Sequence, residues 1–512
     1  MFESALKPIW WLPTVGFFLF FAIEVSMFHN PDRLFEDPGV GRHLRTSQLI
    51  LATGQIPRTD PLSFTKAGQP WFDFEWAFEA TLGELYRAGG LGLVCAFCYA
   101  VFATSILGVF RMLLNSGLSL TVVLLYTGLA FLTLNLHFEA RPVLFTYLFM
   151  ALVVEVWNRR TQPLKWDWLF LPIIFVAWAN LHAGWLAALL FLAISLSGRL
   201  LDRLMKRVDG EEAPLIPWIG LTLLCVLATS LNPWGWGLYR HVILLATIYK
   251  SFALWDEYLP PNFAGPSMSA ITVMVILLFV FLTRLFRRAP IWRWEMLLPV
   301  LFFLYEGLKA QRHVLLLVEV AALPVARDME ALWQLTWLSS LRVWLPSFAT
   351  LFDFMKDRLQ QFEARQKLAG GDAWLALVVV LVITALFVRS PLAHDIQVGK
   401  SVTPKLLAFL QDHPDRIHRP LTTTWNAGPL LWNMPPGFRV SFDDRGDFYG
   451  DPYVFAYVSM TNGSPGWHEK LDKGNYDSAI LDPYLQLNEL LHFLPEWKEV
   501  YRDDHAVVYW KD

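Results

Sequence analysis

Long apolar stretches alternate with short polar ones along most of this chain. The first covers about 8–28, and the stretch 167–198 is either one broken segment or two short ones. A helix needs about twenty apolar residues to cross the roughly 30 Å of hydrocarbon in a bilayer. We therefore predict about eleven transmembrane helices, near 8–28, 89–110, 117–136, 142–157, 167–181, 183–198, 215–231, 267–286, 294–309, 312–327 and 373–390.

Basic residues in the polar stretches predict the orientation of the chain. They are Lys7, Arg111, Arg159, Arg160, Lys165, Arg199, Arg203, Lys206, Arg207, Arg284, Arg287, Arg288, Arg293, Lys356, Arg358, Arg365 and Lys367. If the spans alternate in direction, all of these fall on one side, which the positive-inside rule assigns to the cytoplasm. The N-terminus is then cytoplasmic, and the first loop, the loop 232–266 and the tail after Arg389 face outward.

The same pattern predicts two domains. Residues 1–390 form the membrane domain, with a large first periplasmic loop at 30–88. Its cytoplasmic segment 328–372 mixes Trp and Leu with basic residues, which is typical of helices lying on a membrane surface. Residues 391–512 are charged and turn-rich, and we predict a periplasmic α/β domain there. Its expected helices are near 402–412 and 484–494, and its expected strands are near 438–442, 478–481, 498–502 and 505–510.

Composition fits a polytopic α-helical membrane protein with a C-terminal soluble α/β domain. The chain is 55% hydrophobic and 17% charged, whereas soluble domains carry about 25% charged residues. The net charge of -3 argues against a nucleic-acid partner, because phosphate backbones need a basic surface. Cys95 and Cys98 form a C-x-x-C pair that is typical of redox or zinc sites. Because the pair lies inside a span without further ligands, buried packing is the favoured interpretation.

The first loop carries the densest mixture of acids, bases, tryptophans and turn residues. Asp37-Pro38 starts a turn, and an amphipathic helix follows from Gly41 and ends at Gly54. A segment with two prolines comes next, and a second amphipathic helix over 74–86 leads back to the membrane. A long patterned loop held at a membrane face is a strong candidate for a functional site.

Several motifs in and beyond this loop resemble bacterial membrane proteins related to the GT-C glycosyltransferases. In the loop these are D-x5-H-L from Asp37, I-P-x-x-D-P-x-S-F-T from Ile56 and G-x-P-W-x-x-x-E-W from Gly68. Further matching fragments are spread over most of the chain: Ala140-Arg141-Pro142, Asn180-Leu181-His182-Ala183-Gly184-Trp185, Leu231-Asn232-Pro233-Trp234-Gly235, Arg312-His313 and Asp443-Asp444-Arg445-Gly446-Asp447-Phe448-Tyr449-Gly450.

The resemblance implies a GT-C-like bundle of about eleven to thirteen spans in a bacterial inner membrane. It also implies a sugar donor activated by polyprenyl phosphate or diphosphate, and an essential acid in the first outward loop. By motif, Asp37 occupies the acid position, and Glu36 directly before it is the alternative. The function implied is transfer of a sugar from the polyprenyl-linked donor to a periplasmic glycan, lipid or protein.

Such a reaction needs a carboxylate base and stabilisation of the leaving phosphate. Asp37 is the favoured base, and Arg141 near the outer end of a span is the favoured phosphate ligand, because its forked donors suit phosphate. Further candidates for binding substrate or lipid phosphate are Arg312, His313, His182, His43 and Glu75. Asp37, Asp60, Asp73 and Glu75 offer oxygens for a divalent metal, but their spacing specifies no metal site.

Each candidate also has a purely structural interpretation. An Asp before Pro commonly starts a turn, as for Asp37 and Asp60, and His43 fits the polar face of an interfacial helix. His182 suits a site or a helix cap equally. The motif 443–450 stabilises a tight loop or binds acceptor or metal.

Two other functions remain open at this stage. A non-catalytic membrane scaffold would keep the fold and bind protein partners through its first loop and tail, because fold does not guarantee chemistry. A transporter would need ionisable residues converging in mid-membrane, whereas the polar features here cluster at the outer face.

Overall fold

All eleven apolar stretches fall on helices in the computed structural model. The structure describes residues 9, 11–159, 161–206, 214–247, 250–287, 292–333, 354, 358, 361–366 and 368–512. Up to the end of the bundle the helices are α1 (Val15–Ser26), α2 (Pro38–Thr53), α3 (Trp76–Asn115), α4 (Leu120–Leu134), α5 (Val143–Arg159), α6 (Asp167–Leu181), α7 (Trp185–Leu204), α8 (Leu215–Ala228), α9 (Gly237–Thr247), α10 (Met268–Arg287), α11 (Trp294–Lys309), α12 (Val314–Val320), α13 (Ala322–Trp333) and α14 (Asp372–Val388).

The helices identify a multi-pass membrane protein. Within the described ranges, four helices are long and apolar enough to cross a bilayer, and four shorter apolar helices accompany them. The stretch 167–198 forms two helices, α6 and α7, joined at His182 to Gly184. Cys95, Cys98 and Cys225 are buried, free thiols that pack in the hydrophobic core of the bundle.

The first loop folds as its polar pattern predicts. The helix α2 ends at Thr53, directly before Gly54, and a second helix returns to the bundle from Trp76. This second helix, α3, is 40 residues long and bends at Gly89 and Gly90. Gly90 has φ +65°, which residues with a Cβ rarely adopt. The bend therefore separates the amphipathic first part of α3 from its apolar second part.

The C-terminal part contains short helices and one mixed sheet. After the bundle come α15 (Pro391–His394), α16 (Pro404–Gln411), α17 (Thr424–Asn433), α18 (Gly446–Tyr449), α19 (Asp451–Thr461), α20 (Trp467–Gly474) and α21 (Gln486–Leu491), with strands β1 (Pro420–Thr422), β2 (Ser478–Leu481), β3 (Trp497–Arg502) and β4 (Val507–Lys511). The sheet order is β1-β2-β4-β3. The strands β1 and β2 are parallel, and the other two pairs are antiparallel.

One strand predicted for the tail is wrong. The segment 438–442 contributes only an isolated bridge between Val440 and Ser63 of the first loop. The sheet position is filled instead by the three-residue β1, where Leu421 pairs with Ala479. The interfacial helices expected in 328–372 lie largely outside the described residues, beyond the end of α13 at Trp333.

The first loop and the tail pack into one another through a glycine contact. A Cβ on Gly41 of α2 would lie 2.2 Å from the carbonyl oxygen of Gly428 in α17. A Cβ on Gly428 would lie 1.7 Å from the carbonyl oxygen of Pro38. Because a Cβ at either position would collide with the opposite backbone, α2 and α17 are in direct backbone contact there. The side chain of Arg45 extends across the contact and donates to the carbonyl of Leu431.

Candidate functional site

A cluster of buried charges lies where seven separate segments meet. They are the start of α2, the loop and first turn leading into α3, the connection between α4 and α5, the break between α6 and α7, the segment around Glu257, the segment around Arg312, and the tail around Asp444. The clustered side chains are Asp37, Arg42, His43, Asp73, Glu75, Glu79, Glu139, Arg141, His182, Glu257, Arg312 and Asp444. Buried charges of this kind are costly unless they are paired.

Asp37 and Arg141, which the sequence analysis placed in complementary roles, lie next to each other. Asp37 is the N-cap of α2 and accepts a hydrogen bond from the Gly39 amide at 2.8 Å. Its second oxygen is 3.3 Å from Nη1 of Arg141. Burial raises the pKa of the Asp37 carboxyl, although Arg141 opposes this shift. Asp37 is thus a helix cap and also a carboxylate that takes a proton more readily than an exposed one.

Arg42 connects the first loop to the tail. Its guanidinium donates to both oxygens of Asp444, at 2.7 and 3.1 Å, and to Glu79 at 3.1 Å. Glu75 lies 3.8 Å from the same group. Burial would raise the pKa of Asp444, but the Arg42 guanidinium holds it below its ordinary value. Asp444 is therefore ionised, and it keeps Arg42 oriented.

His43 is fully engaged inside this network. Its Nε2 is 3.0 Å from an Nη2 of Arg42, which can only donate, so Nε2 accepts. The proton then resides on Nδ1, which donates to Glu79 at 3.0 Å. Burial and the Arg42 charge lower the pKa of His43 well below its ordinary value. The neutral ring orients Arg42 and Glu79.

His182 lies at the break between α6 and α7 and faces the arginines. Its Nδ1 accepts from the Gly184 amide at 3.2 Å and lies 2.7 Å from the Thr146 hydroxyl. Burial, together with the charges of Arg312 and Arg141, lowers the pKa of His182 to about 3. The neutral ring therefore carries its proton on Nε2. His182 is the C-cap of α6, holds the Gly184 amide at the break before α7, and keeps one N–H donor for a ligand.

Arg312 provides a second cation near Arg141. It donates to Glu257 at 3.0 Å and lies over the Tyr258 ring at 4.4 Å. Burial would raise the pKa of Glu257, but Arg312 and Arg141 together hold it below its ordinary value. The outward loop predicted at 232–266 therefore supplies an ionised acid that holds the second arginine in place.

Glu36 and His313 lie apart from the cluster. Glu36 forms an ion pair with Lys400, and its side chain is 39% exposed. His313 is directed toward Glu306, with Nδ1 3.2 Å from the carbonyl oxygen and 3.5 Å from the carboxylate. The structure thus separates Asp37 from Glu36 and Arg312 from His313, although each pair is adjacent in sequence.

Acids outnumber arginines in the cluster, and part of the excess is relieved by protons. Burial raises the pKa of Glu75 to about 7 and that of Glu139 to about 7. Burial also raises the pKa of Asp73 to about 6. Carboxyls with such values exchange protons near neutral pH, which is the range in which a general base is most effective.

Two of the four acids considered as metal ligands, Asp37 and Asp60, already bind other groups. Within the described part of the chain, no group of three or more His, Cys, Asp and Glu side chains is arranged to hold a metal ion. Asp60 is 2.8 Å from Arg445 and accepts from the Ser63 amide at 3.1 Å, and Asp37 is paired with Arg141. The carboxylate oxygens of Asp37 and Asp60 are therefore already bound to arginines and backbone amides.

Five charged members of the cluster were not among the predicted site residues: Arg42, Glu79, Glu139, Glu257 and Asp444. The motif 443–450 could have indicated one of them, because three acids, Asp443, Asp444 and Asp447, stand close together in it. The structure divides their roles. Asp443 binds Arg445 at 2.6 Å inside the tail, whereas Asp444 binds Arg42 in the cluster.

Comparison with solved structures defines the class of fold. The oligosaccharyltransferase of Archaeoglobus fulgidus, in its apo form, has a similar structure with a TM-score of 0.51 and 12% sequence identity, over 91% of this chain and 69% of that chain. No family model matches the sequence, and no curated protein matches it. The chain therefore has a GT-C-like fold, as its motifs predicted.

Two further structures are similar at lower TM-scores. ArnT from Cupriavidus metallidurans bound to undecaprenyl phosphate has a TM-score of 0.43 and 14% identity. The same protein in the apo state has a TM-score of 0.44 and 16% identity. Each covers 96% of this chain and 97% of the other.

Proposed function

We propose that this protein is a membrane glycosyltransferase that moves a sugar from a polyprenyl-phosphate-linked donor to a hydroxyl-bearing acceptor. The observation that carries the proposal is the contact between Asp37 and Arg141, 3.3 Å apart in a buried cluster. At that separation, one group can take the proton of the acceptor while the other binds the phosphate that leaves the donor. The GT-C-like fold supports the same class of reaction, and the motif resemblance supports the polyprenyl carrier.

The reaction assigns one role to each group. The acceptor oxygen attacks the anomeric carbon, and its proton passes to the Asp37 carboxylate. The bond between the anomeric carbon and the donor's phosphate oxygen breaks, and the phosphate leaves with the electron pair. Arg141 exchanges its contact with Asp37 for the leaving phosphate, whose negative charge it stabilises.

The surrounding residues orient these groups. Arg312, held by Glu257, adds a second positive charge on the phosphate side, and His182 offers its Nε2 proton as a neutral donor. Glu75, with a pKa raised by burial to about 7, accepts a hydrogen bond from a sugar hydroxyl or passes the proton onward. Each of these roles is performed by side chains of this chain.

The proposal places the reaction at the outer face of a bacterial inner membrane. The N-terminus is cytoplasmic, residues 1–390 form the membrane domain with its periplasmic loop 30–88, and residues 391–512 form the periplasmic domain. The acceptor is a periplasmic glycan, lipid or protein, and protein partners bind through the loop and tail.

The test compares two neighbouring acids. In proteoliposomes supplied with a panel of polyprenyl-phosphate sugars and envelope acceptors, we expect Asp37→Asn to lower the transfer rate about a hundred- to ten-thousand-fold. Glu36→Gln is the matched control, because Glu36 pairs with Lys400 away from the cluster, and it should keep activity near that of the unmodified protein.

Two other outcomes would contradict the proposal in different ways. If folded Asp37→Asn and Glu36→Gln proteins both transferred sugar at the unmodified rate, Asp37 would not be the base. If the unmodified protein transferred no sugar and co-purified with another envelope protein in fixed stoichiometry, the loop and tail would be binding surfaces.

A further inference from the structure

A second polar site lies at the opposite end of the helices that carry the candidate site. The helix α5 follows Arg141 and ends at Arg159, and α7 follows His182 and carries Arg199 near its end. The 17 residues of α5 span about 25 Å at 1.5 Å per residue. The two sites are therefore separated by most of the thickness of the bundle.

A cavity of about 210 Å³ opens at this second end. Its lining contains four arginines and one acid: Arg159, Arg199, Arg293, Arg327 and Glu295. The formal charge of this lining is therefore about three units positive. The cavity is smaller than the roughly 300–1,000 Å³ of pockets that enclose a whole small-molecule ligand. It suits one compact anionic group.

Arg199 is fixed in the wall of the cavity before any ligand arrives. It is buried, with 4% exposure, and it donates to Glu295 at 2.8 Å. Its guanidinium lies 4.1 Å from the centre of the Trp157 ring and 5.7 Å from that of Trp218. Stacking on two indoles leaves few side-chain rotamers to be lost on binding.

Glu295, the acid of the lining, already serves two of the arginines. One of its oxygens is 2.8 Å from Arg199, and the other is 3.2 Å from Arg293. Arg159 binds Glu155 outside the lining at 2.6 Å. Arg327 is exposed at the cavity and has no ion pair within 4 Å among the described residues. The positive charge of the lining is thus only partly compensated.

Exposed apolar side chains lie on the helix that carries Arg199 and on the helix whose Trp218 packs against Arg199. On α7, Leu204 is 70% exposed and Met205, directly after it, is 56% exposed. On α8, Ile216 is 83% exposed. Large apolar side chains exposed together at one end of a membrane bundle are typical of a surface that contacts lipid. A phosphate held in the cavity would have acyl chains available beside it.

We propose that this arginine-lined cavity binds the phosphate of an anionic phospholipid headgroup. The partly uncompensated guanidiniums supply paired donors for phosphate oxygens, and the flanking apolar surface favours a lipid over a soluble anion. Basic pockets between transmembrane helices are suited to anionic headgroups on general electrostatic grounds. The site is independent of the sugar-transfer proposal, because it shares no residue with the Asp37 cluster.

The experiment uses the full-length protein in detergent and native mass spectrometry with added phosphatidylglycerol or phosphatidylcholine. We expect the unmodified protein to retain phosphatidylglycerol at least about tenfold more strongly than phosphatidylcholine. The double variant Arg159→Gln/Arg327→Gln should lose that preference. Lys206→Gln is the matched control, because Lys206 is an exposed cation just beyond α7 that does not line the cavity, and it should keep the preference.

A second variant tests the proposal even if the double variant fails to fold. Arg327→Glu reverses one charge at an exposed position and should weaken phosphatidylglycerol retention while the protein stays monodisperse. Inorganic phosphate at millimolar concentration distinguishes the sources: competition with the lipid shows that the free anion binds the same cavity, and failure to compete assigns the site to lipid. Equal phosphatidylglycerol retention by the unmodified protein, the double variant and Arg327→Glu would overturn the proposal.

Discussion

The two ends of α5, α7 and α11 carry opposite excesses of charge. At the Asp37 end, Arg42 contacts Asp444 and Glu79 and lies 3.8 Å from Glu75. At the other end, Arg199 contacts one carboxylate and two indole rings. At the first end, buried carboxyls with raised pKa values can hold protons near neutral pH. At the second end, arginines outnumber acids. The same bundle therefore offers a place for proton transfer at one end and a place for an anion at the other.

We expect the largest loss of stability when the shared cation of the acid-rich end is removed. Arg42→Met would leave Asp444, Glu79 and Glu75 without their shared cation, and removal of one partner from a buried ion pair costs about 3–5 kcal/mol. We expect the free energy of unfolding in detergent to fall by that amount. Arg58→Met is the control, because Arg58 is exposed and lies over Trp234 at 4.6 Å, and it should cost about 1 kcal/mol or less. Equal losses in both variants would show that Arg42 organises nothing beyond its own packing.

A smaller effect depends on pH. Burial raises the pKa of Glu75 from its ordinary 4.5 to about 7, so the folded protein holds a proton that the unfolded chain has released. Stability from this group is complete below about pH 4.5 and is lost as the pH rises to 7. Glu75→Gln does not titrate, and it should gain up to about 3 kcal/mol relative to the unmodified protein between pH 4.5 and 8.

Chemical unfolding at the two pH values measures this difference. Glu84→Gln, at an exposed acid paired with Arg87, should show no comparable change. A Glu75→Gln protein whose advantage stayed constant from pH 4.5 to 8 would mean that Glu75 keeps its ordinary pKa.

At the basic end we expect a much smaller change in stability. Arg159→Gln removes an exposed ion pair with Glu155, one helical turn away, and such pairs contribute about 0.5 kcal/mol or less. Its unfolding free energy should stay within that margin of the unmodified protein. A loss above about 2 kcal/mol would instead indicate that the basic end is held together by its ion pairs.

Local pattern predicted the helices because each apolar stretch carries its own signal. The end of α2 before Gly54 and the division between α6 and α7 were also readable, since glycine and the break at His182 mark them locally. The motif resemblance placed Asp37 at the acid position, and phosphate chemistry favoured Arg141 as its counterpart; the structure brings the two to 3.3 Å. Their assignment as base and phosphate ligand remains a prediction.

The sequence alone did not predict which distant residues contact one another. Asp444 is 402 residues from Arg42, and no periodicity links two such positions. The segment 438–442 was predicted as a sheet strand, but Val440 forms only an isolated bridge with Ser63 of the first loop. The real strand β1 has three residues, too few to show an alternation.

The contact between Arg42 and Asp444 can form only late in translation. A ribosome adds about 5–20 residues per second, so the 402 residues between the two take roughly 20–80 s to appear. During that interval Arg42 and Glu79 have left the ribosome, but the carboxylate that completes their network has not. The charge cluster is therefore finished only when almost the whole polypeptide has been made.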